Sequence, residues 1–360
     1  MGKFVFNRFA AITMLGVLTL TSCLDMESDL DERIKNDDKK IKAYLETNQI
    51  QATKHSLGFY FQSLNANSTG ATLSTGDIVE FEYVIREMGK SNVIETNMSN
   101  LLLINTDESC GTKMFVAQTF LCHNNSSSSA AATQNTITHE LPPIDHFRDE
   151  PAYLKLGSFS VIPEGLDYGI KMMRVGEMYR FYIPSYLAFG DYWTEEFPAG
   201  AIFEITVKVN AKYTESQIET MQMDSLTNYM DAHYPGYTKF ESGLCYLDSV
   251  VGTGSRPFDG SIVRIDFKRR YLNEELIKSS TGVQILLNNN QAVEGLEAGI
   301  KQMNEGGWAI MAMPSKLAFK HSLCIIPEII RPQMLSDKVI NSEVKPYSII
   351  KYKVNLRSTN

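Results

Sequence analysis

This sequence lacks the motifs from which many catalytic sites are recognised. Five cysteines occur in 360 residues, and none of them forms a Cys-x-x-Cys pair or stands with histidine at metal-ligand spacing. The six histidines are scattered, and no Ser-His-Asp, Cys-His or paired-carboxylate arrangement stands out. We therefore expect neither a metal site nor a cofactor, and no covalent catalysis by a nucleophilic side chain.

The chain also lacks a run of lysine and arginine. Its formal net charge is −8, and no basic stretch supplies the positive field with which proteins attract phosphates. Nucleic acid is therefore not expected as a partner. With 43% hydrophobic and 21% charged residues, the rest of the composition is that of an ordinary globular protein, and the length favours about two domains.

Long apolar runs are missing too, except for a short one near the N-terminus. Lys3 and Arg8 precede the run AAITMLGVLTL, which is too short to span a bilayer and leads into LTSC at Leu20–Cys23. We interpret residues 1–22 as a secretory signal peptide whose end resembles the lipobox of bacterial lipoproteins, in which the cysteine is diacylated. An ordinary signal peptide with an accidental cysteine is the alternative.

The segment after Cys23 is acidic. It begins LDMESDLDE, and we expect residues 23–40 to form a solvated tether between a lipidated Cys23 and the folded body. The same stretch resembles the export signal of surface lipoproteins in Bacteroidetes, so both interpretations stay open. A lipid anchor predicts an outer-membrane lipoprotein on the periplasmic or the cell-surface side.

Disulfides are permitted outside the inner membrane. Cys110 and Cys122 are close in the sequence and could form one. Cys245 and Cys324 are a weaker candidate pair, because they lie far apart in the sequence.

The chain contains two copies of one unit. The phrase IPSYLAFG at Ile183–Gly190 returns as MPSKLAFK at Met313–Lys320. Around this phrase, each copy has a helix, an alternating strand, a short helix with an apolar stripe and a final alternating strand. This order favours two α+β units, each of antiparallel strands wrapped on one short helix and preceded by another helix. We place the units at residues 41–213 and 214–360.

Hydrophobic periodicity predicts which side chains of each copy face the core. In the first long strand these are Val79, Phe81, Tyr83 and Ile85, and in the matching strand they are Val263, Ile265 and Phe267. In the short helices they are Leu166, Ile170 and Met173, and then Leu296, Ile300 and Met303. Gly176 and Gly306 are expected to end these two helices.

The two copies differ in their insertions. Gly58 and Ala188 of the first copy are much further apart in the sequence than the matching Gly243 and Ala318 of the second. The first copy therefore carries an insertion at about residues 98–157, which contains the low-complexity stretch NNSSSSAAATQNT. The second copy has a shorter insertion at about residues 321–345, within which IIPEIIRPQMLSDKVINSEV has no counterpart in the first copy.

The order of these parts and several motifs resemble the FKBP family of peptidyl-prolyl isomerases. The motifs are VIPEGLDYGIKMMRVGEMYRFYIPSYLAFG and FPAGAIFEITVKV in the first copy and, more faintly, AVEGLEAGIKQMNEGGWAIMAMPSKLAF in the second. The helix before each copy also looks like that of tandem FKBP-like lipoproteins from Bacteroidetes. The resemblance implies an isomerase acting on X–Pro bonds of exported polypeptides through a dry apolar pocket, without a nucleophile or a general base.

Matched motif by motif, the resemblance assigns a pocket to the first copy. Tyr83, Glu95 and Phe189 take the catalytic positions, with Glu95 where the family commonly has aspartate and Phe189 where it prefers tyrosine. The substrate-binding positions fall on Ile94, Val161, Ile162, Leu166 and Ile205. Because the hydroxyl expected at Phe189 is missing, we expect a weakened activity.

The second copy departs further from the family pattern. Phe267 replaces the strand tyrosine, Lys278 replaces the acid, and Ala292 and Val293 replace the Val-Ile pair. Two functions stay open. The first is an isomerase, active mainly in the first copy, that assists the folding of exported proteins. The second is a non-catalytic peptide- or protein-binding lipoprotein, a chaperone or adaptor built from degenerate FKBP domains.

Overall fold

The computed structural model describes residues 29–98 and 144–360, which form two α+β domains of the same design. The first domain contains helices α1 (residues 29–47) and α2 (Gly165–Lys171) and strands β1 (Thr53–Lys54), β2 (Tyr60–Asn65), β3 (Ile78–Glu87), β4 (Val93–Thr96), β5 (Ile144–Phe147), β6 (Ala152–Lys155), β7 (Val161–Ile162), β8 (Met178–Ile183) and β9 (Phe203–Tyr213). The second domain contains helices α3 (Glu215–His233), α4 (Glu294–Ile300) and α5 (Arg331–Ser336) and strands β10 (Thr238–Lys239), β11 (Cys245–Val250), β12 (Ile262–Arg270), β13 (Leu276–Leu286), β14 (Trp308–Met313), β15 (Cys324–Ile325) and β16 (Ile350–Thr359).

The two main sheets have the same strand order. The first runs β1-β2-β8-β9-β3-β4-β5, with β6 also paired to β3, and the second runs β10-β11-β14-β16-β12-β13. In the second domain β13 pairs along nearly the whole of β12. In the first domain β4 and β6 share the matching edge of β3, and β5, which lies between them in the sequence, pairs in parallel with β4.

The predicted core faces are confirmed in both domains. The four named residues of β3 and the three of β12 are buried, and the six apolar residues named for the short helices are at most 3% exposed. The predicted helix ends are wrong, because α2 ends at Lys171 and α4 at Ile300. Gly176 and Gly306 instead lie in the turns before β8 and β14, where their φ values of 86° and 85° suit glycine.

Each short helix approaches its sheet closely through a glycine. A Cβ atom at Gly169 of α2 would lie 2.7 Å from a ring carbon of Phe181, and one at Gly299 of α4 would lie 2.4 Å from the sulfur of Met311. Any side chain at these positions would push the helix away from the sheet. The close packing holds each helix against one face of its sheet.

The serine of the repeated phrase fixes each long helix to its domain. In the first domain a carboxylate oxygen of Asp37 accepts hydrogen bonds from the backbone N–H and the hydroxyl of Ser185, at 2.8 and 2.6 Å. In the second domain the amide oxygen of Gln222 accepts the same two bonds from Ser315, at 2.8 and 2.9 Å. The N–H and hydroxyl groups of both serines are therefore hydrogen-bonded by side chains at equivalent positions of α1 and α3.

The helix α1 begins earlier than the sequence suggested. Residues 29–40, which we expected in the acidic tether, are helical, and Asp37 is buried against Ser185. The carboxylate of Asp191 also accepts a hydrogen bond from Arg33, at 2.6 Å. This part of the acidic segment is therefore packed on the first domain, because it carries side chains that match polar groups there.

The two domains follow each other without a linker. Strand β9 ends at Tyr213, and helix α3 begins at Glu215 with Thr214 as its N-cap in a capping box. Within the described ranges, no helix is both long and apolar enough to cross a membrane.

The weaker candidate pair, Cys245 and Cys324, does not form a disulfide. Both cysteines are free, buried and packed in different hydrophobic clusters. Several other predictions fall outside the described residues, namely the signal peptide, most of the first insertion, Cys23, Cys110 and Cys122.

Candidate peptide-binding pocket

The predicted pocket residues converge in the first domain. Strand β3 supplies Tyr83, β4 supplies Ile94 and Glu95, β7 supplies Val161 and Ile162, α2 supplies Leu166, and β9 supplies Ile205. The apolar members of this set and Phe189 belong to one hydrophobic cluster. The structure thus brings together all eight residues that the resemblance assigned to catalysis and substrate binding.

The polar end of the pocket is a hydrogen bond between two buried side chains. The Tyr83 hydroxyl donates to a carboxylate oxygen of Glu95, which is 0% exposed. Strand β4 is held beside β3 by Asn97 and Thr96: the Asn97 side-chain oxygen accepts from the Tyr83 N–H at 2.6 Å, and the Thr96 hydroxyl donates to the Tyr83 carbonyl at 2.8 Å. These bonds fix the carboxylate opposite the hydroxyl.

Burial governs the titration of this pair. It raises the pKa of Glu95 above its usual range, although the Tyr83 hydroxyl favours the ionised carboxylate. Burial, together with the nearby Glu95, also raises the pKa of Tyr83 well above its ordinary value. Burial lowers the pKa of the half-buried Arg148, but Glu328 and Glu95 raise it more, so this guanidinium stays charged and supplies a compensating positive charge.

The apolar walls come from the helix, the last strand and an aromatic group. Leu166 and Ile205 are fully buried. Phe189 is partly buried, and its ring centroid lies 4.7 Å from that of Phe197 and 5.4 Å from that of Phe203. These rings exclude water from one side of the pocket and offer no hydrogen-bonding group there.

The pocket contains a segment of the second domain. Residues 324–334, which we call the docked segment, begin with β15, and this strand pairs in parallel with β7. The Cys324 N–H donates to the Ser160 carbonyl at 2.7 Å, and the Ile326 N–H donates to the Ile162 carbonyl at 2.8 Å. Five side chains of the segment join the hydrophobic cluster of the first domain, namely Cys324, Ile325, Ile326, Ile330 and Met334.

Glu95 binds the backbone of the docked segment on the other side of Pro327. Its two carboxylate oxygens accept hydrogen bonds from the N–H groups of Glu328 and Ile329, at 2.7 and 2.9 Å. Pro327 itself is buried. It is therefore held between one hydrogen bond to the Ile162 carbonyl before it and two to the Glu95 carboxylate after it, and both Ile162 and Glu95 are predicted pocket residues.

The matching place in the second domain is occupied differently. Arg269 is 9% exposed, and its guanidinium carbon lies 4.6 Å from the ring centroid of Phe319 and 5.3 Å from that of Tyr352. It donates to the Tyr352 hydroxyl at 2.8 Å and pairs with Glu343 at 2.6 Å. Lys278, which replaces the acid, also pairs with Glu343. A charged side chain thus fills the space that is apolar in the first domain.

A family model described as FKBP-type peptidyl-prolyl cis-trans isomerase matches residues 137–210 and 254–357. The chain carries two FKBP-like domains. The first match includes Val161, Leu166, Phe189 and Ile205, whereas Tyr83 and Glu95 lie before it. The comparison with curated proteins gave no match.

Similar solved structures are FKBP proteins at low sequence identity. A peptidyl-prolyl cis-trans isomerase from Pseudomonas syringae pv. tomato is 12% identical over 42% of this chain and 99% of its own, with a TM-score of 0.32. FkpA from Escherichia coli is 17% identical over 41% of this chain and 64% of its own, with a TM-score of 0.30. The three FKBP domains of wheat FKBP73 are 12% identical over 85% of this chain and 96% of their own, with a TM-score of 0.28.

Sequence reasoning missed two features of the FKBP-like domains. The burial of Arg269 was detectable, because it continues the alternation Val263, Ile265, Phe267 along β12. The docking of residues 324–334 had only a weak signal, the apolar stretch CIIPEII inside an otherwise polar insertion.

Among the described residues, no group of three or more histidine, cysteine or acidic side chains is placed to hold a metal ion.

Proposed function

We propose that the first FKBP-like domain is a peptidyl-prolyl isomerase that acts on extended X–Pro segments of polypeptides. The observation that carries this proposal is the occupied pocket, in which an Ile-Pro-Glu sequence lies with its proline buried between hydrogen bonds to the predicted residues Ile162 and Glu95. Hydrogen bonds from the peptide backbone reach Ile162 before the proline and Glu95 after it. A client segment would find the same acceptors.

The chemistry needs no side chain that forms a covalent bond with the substrate. The barrier to rotation about an X–Pro bond is about 20 kcal/mol and arises from amide resonance. An apolar pocket stabilises the twisted state, in which that resonance and its charge separation are lost. Leu166, Ile205 and Phe189 supply the apolar surface, while Glu95 and Ile162 orient the peptide backbone. Because no hydroxyl is present at Phe189, we propose that the activity is weak.

The test is an exchange measurement on the full chain. Isomerisation of a short peptide with an isoleucine before proline is followed by NMR, which needs no helper protease. We expect acceleration above the uncatalysed rate, and Tyr83→Ala removes most of it while the domain stays folded. Phe267→Ala, at the matching position of the second domain, leaves the rate unchanged. Equal losses from both substitutions, or no acceleration at any protein concentration, would contradict the proposal.

A non-catalytic binding role is the second candidate. Two observations favour it, namely the missing hydroxyl at Phe189 and the arginine that fills the second pocket. In this case the first domain holds proline-containing segments as a chaperone or adaptor does. Peptide binding without any change in the isomerisation rate would select this role.

We further propose that the chain is an outer-membrane lipoprotein of the Bacteroidetes type, anchored through Cys23 on the periplasmic or the cell-surface side. Support comes from the apolar run and the LTSC sequence before that cysteine. The clients would then be proteins that fold after export. Cys23→Ser should move the protein from the membrane fraction to the soluble fraction, and continued membrane association of this variant would rule out the anchor.

A further inference from the structure

The docked segment belongs to the second domain by sequence but to the first by its packing. All five of its clustered apolar side chains contact the core of the first domain, and none belongs to the main core of the second. The insertion also closes at its base, where the Ser322 hydroxyl donates to the Val344 carbonyl at 2.6 Å. The second domain is therefore complete without residues 323–342, which contain the docked segment, project from the domain and are called the arm.

From this placement we propose that the docked segment is an internal ligand of the first pocket, which a client polypeptide must displace; the proposal rests on the peptide-binding function of that pocket. The segment adds a strand beside β7, a common way for proteins to recognise extended peptides. The segment also supplies two backbone N–H groups, from which the buried Glu95 carboxylate accepts hydrogen bonds. A client with the same backbone would replace these contacts one for one.

The arm holds its own shape by bonds that do not involve the pocket. Arg331 is 4% exposed and donates to the carbonyls of Leu323 and Ser342, at 2.6 and 2.8 Å. It also pairs with Glu328. Because Arg331 links the start, middle and end of the insertion, the arm can leave the pocket as one unit.

Apart from the backbone bonds to β7 and to Glu95 described above, further polar contacts between the arm and the first domain lie at its exposed edge. The Tyr192 hydroxyl donates to Asp337 at 2.9 Å, and the Gln333 side chain donates to the Trp193 carbonyl at 3.2 Å. Exposed hydrogen bonds of this kind exchange readily with water. The docked state therefore depends chiefly on the apolar residues and on Glu95.

The buried side chains of the arm specify the client class. Ile326, directly before the proline, is 0% exposed, whereas Ile329, two residues after it, is 37% exposed. The pocket thus selects a large aliphatic residue before proline and makes little demand on the second residue after it. The matched probe is a fluorescent peptide with the sequence of residues 322–330, in which alanine replaces the cysteine.

The decisive experiment compares Ile326→Asp with Val339→Asp in the full chain. Val339 lies in the arm beyond the docked segment and is 51% exposed. Aspartate at the buried Ile326 places a charge in the apolar pocket and should release the arm, whereas the exposed position tolerates it. A pocket that is free in only one molecule in ten binds its ligand about tenfold more weakly. We therefore expect the probe to bind at least about tenfold more tightly to Ile326→Asp, and equally to Val339→Asp and the unmodified chain, in fluorescence anisotropy.

An arm-less variant separates occupancy from folding. Residues 323–342 are replaced by Gly-Ser-Gly-Ser, which keeps Glu343 beside Arg269 and joins the ends that already meet at Ser322 and Val344. This variant should fold and bind the probe as tightly as Ile326→Asp. If both Ile326→Asp and the arm-less variant lose the near-ultraviolet circular dichroism of the first domain, the segment is a permanent part of its core and the proposal is wrong. If both variants are folded but bind the probe no more tightly than the unmodified chain, the proposal is also wrong.

Cys324 reports displacement directly. Burial raises the pKa of this thiol to about 12, so it should react slowly with a thiol reagent while the segment is docked. In a chain whose other four cysteines are serine, saturating probe should accelerate labelling of Cys324; an unchanged rate would count against displacement. If the arm-less variant binds the probe tightly but does not accelerate isomerisation, the result supports the docked segment as an internal ligand and contradicts the isomerase proposal.

Discussion

The two FKBP-like domains share one scaffold but fill the same pocket in opposite ways. In the first domain Ile85 of β3 faces Ile205 of β9, and in the second Arg269 of β12 faces Tyr352 of β16. The first pair is apolar and leaves space that a peptide segment occupies. The second pair is polar and is completed by Glu343 from the same domain. One cross-strand pair thus distinguishes an apolar pocket that holds a peptide segment from a closed, polar one.

This difference explains why the loss of one pocket did not disrupt the fold. The guanidinium of Arg269 keeps a hydroxyl, a carboxylate and aromatic faces as partners, so its burial is compensated. The glycines of the short helices and the serine that binds the long helix are kept in both domains. The scaffold and the site therefore depend on different residues.

The largest expected effect comes from moving the arginine of the second pocket into the first. Ile85→Arg buries a guanidinium opposite Ile205, which has no hydroxyl to accept its hydrogen bond. A buried charge without a partner costs roughly 3–5 kcal/mol. We expect the first domain to lose most of its stability in urea unfolding. Adding Ile205→Tyr should restore part of it, and a single substitution without effect would show that the pairs are not equivalent.

Truncation of the helix leucine should separate stability from binding. Leu166→Ala and Leu296→Ala each remove a buried side chain at matched positions of α2 and α4, and each should cost about 3 kcal/mol in thermal unfolding. Only Leu166→Ala should also weaken binding of the proline-containing probe in the arm-less background. A similar loss of binding in Leu296→Ala would mean that the second pocket takes part.

Tyr83→Phe makes the first pocket more like the second, where Phe267 has this place. The change leaves the buried Glu95 without its hydroxyl donor, which costs about 1–2 kcal/mol in the stability of the first domain. It should also lower the isomerisation rate measured by NMR exchange. The matched control is Tyr60→Phe, since Tyr60 donates to Asp38 away from the pocket. A rate that falls equally in the control would remove Tyr83 from the site.

The smallest effect is expected from restoring the hydroxyl that the first pocket lacks. Phe189→Tyr adds a hydrogen-bonding group at the pocket wall, and one such bond is typically worth about 1 kcal/mol, or a few-fold in rate. Phe319→Tyr in the second domain should change nothing, because Arg269 covers that ring at 4.6 Å. A rise in both variants, or in neither, would contradict the contrast between the domains.

Much of the fold could be predicted because it depends on local periodicity. Alternation along β3 and β12 and the stripes of α2 and α4 each follow from the regular side-chain spacing of strands and helices. The assignment of Tyr83 and Glu95 to one site required a family resemblance as well, since the two residues lie on different strands. The helical state of residues 29–40 was missed because the acidic stretch that begins after Cys23 was interpreted as a tether as far as residue 40, and the contact of Asp37 with the distant Ser185 has no local signal.

The sequence by itself determined two copies of one α+β unit, because each strand and helix carries its own pattern and each copy repeats it. It also determined which copy keeps the acid and the tyrosine. Only the tertiary structure decided what fills each pocket. Arg269 needed Tyr352 and Glu343 from later parts of the same domain, and the docked segment needed Glu95 from the other domain. Alternation along β12 can indicate that Arg269 is buried, but it cannot identify partners this distant in the sequence, since neither partner's local pattern depends on the other.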